Sequence, residues 1–461
     1  MLHSHAFLRS DLKTEWYTYW SKRLNQTESG RGNFALESNK FWQNAAMAQA
    51  LSERGILADG RRGVGFGVGM ERLPALFASL GAKITATDQD FTAQKASHWE
   101  DDQLAHGIQS LNLDGICPVA VFQENVSYRS VDMNNIPADL YGQFDFLWSN
   151  CALGHLGSID NSKQFIINSL RCLKAGGWAV HTTEVNILSD RDTLETPDTV
   201  FFRQKDLFDL FKTLSLQGYV VSALNFYLGS DALDKLFTLK PVWGTEHSKI
   251  LVNNYMATQI ILVIKKPERS HRVTRSLQVA KHYMSYLMNL LRMRSYISGN
   301  TELRELIAMS VAAREINASD IKITPKATTI SVRLGRNETI KVKLTYQNLS
   351  TAALFSPSGY FAGTRPLALA TSGPVNRRSE FKSIDWYGED NRLTYELSGA
   401  SKKSNAFEPI EYVKPGQLFS VEFSISANNQ KVNHYIESFC LVKEGDNVIP
   451  ETEVTLAIEL I

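Results

Sequence analysis

The stretch that most constrains the fold is Arg61 to Asp90, RRGVGFGVGMERLPALFASLGAKITATDQD. A short glycine-rich turn leads into a segment with Leu73, Leu76, Phe77 and Leu80 at helical spacing, and then into a β run ending in Asp88. Turn, helix and strand in this compass make one βαβ unit, and its ligand side lies outside the C-terminal strand ends.

The turn reads Gly65-Phe66-Gly67-Val68-Gly69. A dinucleotide fingerprint needs G-x-G-x-x-G/A, and every register fails: Gly65 and Gly67 are followed by Met70, Gly63 and Gly65 by Val68, Gly67 and Gly69 by Arg72. NAD is therefore disfavoured. Bare backbone at Gly65, Gly67 and Gly69 lets a ligand lie against the loop, and Asp88 is placed to accept from two ribose hydroxyls. That combination suits S-adenosylmethionine.

On these residues, and on VDMNNIP, FLWSNCALGHLGS, LRCLKAGGWAVHTTEVN and EHSKI further along, the chain resembles the class I S-adenosylmethionine-dependent methyltransferases. The resemblance covers roughly residues 1–265 and is closest to bacterial enzymes of glycan and surface-polysaccharide pathways. It implies a Rossmann-like sheet of seven strands, the last antiparallel, and a cofactor site made by Gly65, Phe66, Gly67, Gly69, Asp88, Asp132, Met133, Ser149 and Asn150. Asp132 would accept from the adenine amino group. Two positions depart from the pattern: Gly63 and Gly154 stand where acidic residues are expected.

With 461 residues the chain has room for two or three domains with real cores. A 43% hydrophobic fraction, 21% charged residues and a net charge of +1 describe an ordinary soluble protein and do not indicate nucleic acid as a partner. Cys117, Cys151, Cys172 and Cys440 have no C-x-x-C spacing, so neither a zinc site nor a disulfide framework is expected. There is no signal-peptide pattern and no apolar run long enough to span a bilayer, so the expected location is the cytoplasm.

Residues 1–60 read as an N-terminal helical cap, rich in aromatics (Trp16, Tyr17, Tyr19, Trp20, Phe41, Trp42) that suit a core better than a lid or sugar platform; Asn25 to Asn39 reads as a loop. Residues 61–267 form the catalytic domain, with Phe91 to Gly115 (His98, Trp99, His106) as a substrate-side insertion. Strands are expected at Val126 to Val131, Phe144 to Trp148, Trp178 to Thr182, Tyr219 to Leu224 and Gln259 to Ile264. Polar residues crowd the ends of two of them. Methyl transfer to a hydroxyl needs an aligned nucleophile and a base, and His155, His181 and Glu184 are the candidates. H-x-x-E with His247 is too sparse a set to expect a metal.

Residues 268–317 read as a basic helical linker: between Lys265 and Arg294 stand eight Lys or Arg and one Glu, with an apolar stripe of Leu277, Ala280, Met284, Leu287 and Leu291. The favoured reading is a connector packed between domains, the alternative a peripheral contact with the inner face of an anionic membrane. From 318 to 461 the pattern turns to period two, as an antiparallel β-sandwich requires. QNLS, VKPGQ and HYIESFCLVKEG resemble immunoglobulin-like modules of glycan-biosynthesis proteins, including carbohydrate-binding domains of polysaccharide exporters. Trp386, Tyr387 and Tyr395 either stack on sugars or complete the core.

The expected fold is thus α/β, a Rossmann-like methyltransferase domain joined by a helical linker to a C-terminal sandwich. The expected activity is O-methylation of a glycan, a lipid-linked sugar or a nucleotide sugar. The alternatives are a non-catalytic glycan-binding scaffold with a degenerate domain, or methylation of a small molecule or protein. Sequence leaves the oligomeric state open.

Overall fold

The computed structural model describes residues 1–25, 39–89, 108–112, 115–231, 233–239, 249–252, 255–268, 275–301, 303–305, 321–355, 367–372, 379, 381, 396–400, 407–409, 412–427, 430–443 and 447–461. Most of the Asn25 to Asn39 loop, His98, Trp99, His106, His247, Trp386, Tyr387 and Tyr395 lie outside the described residues. The chain divides into two compact units. The first comprises Met1–Thr238, Thr245–Ile250 and Tyr255–Asn300; the second comprises Leu239–Gly244, Leu251–Asn254 and Thr301–Ile461.

The largest sheet comprises β1 (His5–Ala6), β2 (Arg62–Phe66), β3 (Lys83–Asp88), β4 (Val126–Ser130), β5 (Phe144–Asn150), β6 (Leu173–Asn186), β7 (Val220–Val221), β8 (Thr238–Leu239), β9 (Lys249–Val252) and β10 (Tyr255–Lys265). Its order is β4-β3-β2-β5-β6-β10-β9-β8, with β1 and β7 also pairing with β10. The central strands β4, β3, β2, β5 and β6 run parallel, and β10 runs antiparallel to β6. The α/β class is as expected; among the described residues the sheet has ten strands where seven were expected, because the short β1 and β9 pair along β10 and β8 pairs with β9.

Burial explains the central strands. Met256 to Ile264 are buried without a break, the mark of a strand covered on both faces. In β2, Gly63 and Gly65 lie opposite Phe146 and Trp148 of β5. A Cβ at Gly63 would fall 2.2 Å from the Phe146 ring, and one at Gly65 would fall 2.4 Å from Trp148. These glycines make room for two stacked aromatic rings.

The N-terminal helices belong to the same core. Tyr17, Trp20, Phe41 and Trp42 are buried in one cluster with Phe77, Phe146, Trp148 and Ile261, so these four aromatics are core, while Tyr19 is exposed. Helix Leu73–Ser79 packs on β3 and β4, and helix Gln204–Gln217 ends on Gly218, whose φ of +96° closes it in the left-handed cap that glycine favours.

The basic segment forms one long helix, Arg275–Gly299, packed against Gln204–Gln217. Its buried residues are His282, Asn289, Met293 and Tyr296. Of the expected apolar stripe, Leu277, Met284, Leu287 and Leu291 are exposed.

Among the described residues the second unit holds two five-stranded sheets and a two-stranded one around one core. Thr339–Asn348 and Leu418–Ser426 pair antiparallel in one, and His434–Lys443 and Val454–Leu460 pair antiparallel in the other. Alternate residues turn inward, and Val342, Leu344, Tyr346, Val421, Phe439, Leu456 and Ile458 meet in the core. One pair departs from the antiparallel rule, since Thr329–Leu334 runs parallel to Val454–Leu460.

Candidate active site

The glycine turn leaves β2 after Phe66 and bends through Gly67 and Gly69, at φ values of +63° and +48°. A Cβ on Gly67 would lie 2.8 Å from the Ala152 methyl and 3.0 Å from Met133 Sδ, so only glycine fits between the loops that follow β4 and β5. Gly69 donates its backbone N–H to Asp88 Oδ2 at 2.7 Å, and Gln89 donates to Oδ1 at 2.8 Å. Two amides thereby fix the carboxylate at the end of β3. Met133 is buried against this loop, and Asp132 is exposed beside it, its Oδ1 accepting from Asn134 N at 2.8 Å.

Two of the expected cofactor residues also pack in the core. Gly65 accommodates Trp148, and the fully buried Phe66 ring stands edge-on to Phe165 with centroids 5.4 Å apart. They support the turn from below.

The strand β6 was expected to stop at Thr182 but continues to Asn186, because β10 pairs with it residue for residue from Trp178 to Asn186. Alternation along a strand then separates two base candidates. His181 is wholly buried, shares a 2.8 Å hydrogen bond between Nδ1 and Ser149 Oγ, and has its pKa pushed down to about 3 by burial. It is a neutral core residue, and Ser149 spends its hydroxyl on the same buried face.

Glu184 points the other way. Its Oε1 accepts from Cys151 Sγ at 2.9 Å and from Gln259 Nε2 at 2.8 Å, and Gln43 donates both to Gln259 Oε1 and to Cys151 Sγ, the latter at 3.3 Å. Burial first, and the Glu184 carboxylate second, raise the Cys151 pKa well above its ordinary value. The sulfur is therefore a thiol that donates, not a thiolate nucleophile. Cys151 has a φ of +59°, an uncommon conformation for a side-chain-bearing residue, and its N–H is held by Thr182 Oγ1 at 3.1 Å. Thr182 in turn donates to Asn150 Oδ1 at 2.9 Å, and Asn150 donates to Asn44 at 2.7 Å.

Glu71, just past the glycine turn, is a second buried carboxyl. It accepts from Trp148 Nε1 at 2.6 Å, and burial raises its pKa to about 8 against the opposing pull of Trp148 and Asn150. The departures at Gly63 and Gly154 have packing causes. Gly63 yields to Phe146, and a Cβ on Gly154 would lie 3.2 Å from the Val200 carbonyl and 3.5 Å from Glu184 Oε2. Glu184 puts a carboxyl group beside Gly154.

His155 is exposed, with Nδ1 bonded to the Asp198 carbonyl at 2.7 Å. The structure therefore brings together Gly67, Gly69, Asp88, Asp132, Met133, Asn150 and Glu184, leaves His155 at the rim, and sends Gly65, Phe66, Ser149 and His181 into the core. Sequence reasoning missed Gln43, Asn44, Glu71, Cys151, Thr182 and Gln259. Paired amides inside the alanine-rich run FWQNAAMAQAL, and a glutamine opening QIILVI, were the available signals. Among the described residues no group of three His, Cys, Asp or Glu could hold a metal ion.

No family model and no curated protein matches this chain. Solved structures similar to it include a putative methyltransferase from Bacillus halodurans C-125, at 15% identity over 48% of this chain and 98% of that one, with a TM-score of 0.30. Magnesium protoporphyrin IX methyltransferase from Synechocystis PCC 6803 with bound SAH matches at 11% identity over 56% and 97%, with a TM-score of 0.32. The 1,6-didemethyltoxoflavin-N1-methyltransferase from Burkholderia thailandensis matches at 13% over 57% and 91%, with a TM-score of 0.30.

Proposed function

We propose that the chain transfers a methyl group from S-adenosylmethionine to a hydroxyl, the acceptor being a glycan or a lipid- or nucleotide-linked sugar. The observation that carries this reading is the unbroken line of contacts from Gly67 to Ala152, and from the adjoining Cys151 to Glu184. A turn that only glycine can make thereby lies within one loop of a carboxylate.

The residues fit the cofactor. Asp88, oriented by Gly69 and Gln89, stands at the C-terminal end of β3 where a ribose would lie, and Asp132 is exposed at the next strand end for an amino group. When bound, the cofactor supplies an electrophilic methyl group. Glu184 accepts the proton of the acceptor hydroxyl, while Cys151 and Gln259 hold Oε1 and so fix the carboxylate plane. Proximity and alignment contribute the rest.

The rival reading, a degenerate domain used as a scaffold, drew on Gly63 and Gly154. Their packing roles, with Glu184 beside Gly154, support an intact site instead. The test incubates the full chain with labelled S-adenosylmethionine and a panel of sugar nucleotides, glycan extracts and small hydroxyl compounds, followed by mass spectrometry. Label on a sugar hydroxyl is the expected result. Label only on small molecules moves the acceptor class, and failure to bind the cofactor in calorimetry overturns the proposal.

A further inference from the structure

A surface helix ordinarily turns its apolar stripe to the core and its polar face to water. Arg275–Gly299 is mounted the other way round. Its inner face is largely polar: His282 shares a 3.1 Å hydrogen bond with Ser215, Asn289 donates to the Leu224 carbonyl at 2.9 Å, and Tyr286 donates to Asp190 at 2.5 Å. Helical spacing puts Leu277, Met284, Leu287, Met288 and Leu291 on the opposite side. Leu277 and Met284 are each 60% exposed and Leu291 is 57% exposed.

The helix carries no carboxylate along its 25 residues, while Lys281 and Arg292 border the stripe on one side and Arg294 on the other. Just ahead of it the sequence adds Arg269 and Arg272. At 1.5 Å per residue the apolar stripe from Leu277 to Leu291 is about 21 Å long, and no helix among the described residues is long and apolar enough to cross a membrane. An apolar ridge bordered by cations, on a helix pinned to the protein from behind, matches a surface that is apolar below a negatively charged layer.

We propose that the outer face of helix Arg275–Gly299 docks the protein in the plane of an anionic lipid bilayer. Leu277, Met284, Leu287, Met288 and Leu291 enter the headgroup boundary, and Lys281 and Arg294 meet the lipid charges. The inference is independent of the methyl-transfer reading, because it rests on a face that contributes nothing to the Glu184 site.

The test is flotation of the full chain with phosphatidylcholine vesicles, with and without phosphatidylglycerol, at low and high salt. Binding to the phosphatidylglycerol vesicles alone, weakened by salt, is the expected result. Lys281→Glu and Arg294→Glu should each weaken it by roughly fivefold or more. Met284→Glu combined with Leu291→Glu should abolish it, with the melting temperature unchanged. Four results would overturn the proposal. They are no binding to anionic vesicles, equal binding to neutral ones, double-variant binding equal to the parent's, or a double variant whose main effect is elsewhere. That last case includes a dissociated dimer in sedimentation, which makes the occupant a second copy, and a melting temperature lowered by several degrees, which makes the face an internal seat.

Discussion

Glu71 is a carboxyl whose protonation the fold controls. Burial raises its pKa from 4.5 to about 8, so the folded chain keeps a proton that the unfolded chain releases. Below pH 4.5 both states hold that proton; as the pH climbs from there through about 8, the unfolded state gains relative to the folded one. Thermal unfolding of the parent should therefore worsen across this window, and Glu71→Gln, which carries no ionisable group, should show a shallower decline. Identical slopes would remove Glu71 from the account. Gly67 makes a different demand. Alanine there must adopt a φ of +63° at a cost of about 1–2 kcal/mol, and must also displace Ala152 or Met133. Gly67→Ala should lower both the melting temperature and the affinity for S-adenosylhomocysteine, whereas an unchanged affinity would place the cofactor elsewhere. Glu184→Gln keeps the shape that Cys151 and Gln259 bind but cannot take a proton. Its turnover should fall by roughly 10²–10⁴-fold with cofactor affinity nearly intact. If His155→Ala falls as far and Glu184→Gln does not, the base is at the rim.

At the scale of elements, the edge shared by β5 and β6 sets the site. The Thr182 hydroxyl joins the two strands by accepting from Cys151 N–H and donating to Asn150. Thr182→Val keeps the branched shape and leaves that N–H unpaired, which should cost about 1–3 kcal/mol in chemical denaturation and disturb turnover more than cofactor binding. Unchanged stability would mean that water replaces the hydroxyl. The same edge shows what was legible in the chain. Gly67, Gly69 and Asp88 could be read because the βαβ unit is local: its turn and carboxylate are 19 positions apart and joined by one hydrogen bond. The facing of His181 and Glu184 could not be read, because polar residues after Val180 look like a strand's end. Only the pairing of β10, as in Gln259 with Glu184, keeps β6 extended and sends the two side chains to opposite faces. Gln43 was hidden for a similar reason, since its partner Gln259 is 216 positions away. The helix Arg275–Gly299 reverses the usual inference from an apolar stripe, because hydrogen bonds from His282, Tyr286 and Asn289 decide which side faces inward.

At the scale of the whole molecule, every residue of the proposed site belongs to the first unit, and the second unit has its own core from Ile321 to Leu460. Two cores with separate clusters can fold separately. A chain ending at residue 318 should therefore unfold cooperatively and bind S-adenosylhomocysteine as the full chain does. A role for the second unit in holding the acceptor makes a further, distinct demand. A binding module tethered to a catalytic one raises the local concentration of any acceptor long enough to touch both, and adds nothing for an acceptor that reaches only one. Removing residues 319–461 should then raise the KM for a long glycan while leaving the KM for a short sugar nucleotide and the kcat for both unchanged. Equal effects on the two acceptors would remove the reason to assign acceptor binding to the second unit. Loss of cofactor binding in a truncated chain that still unfolds cooperatively would show that the second unit completes the active site.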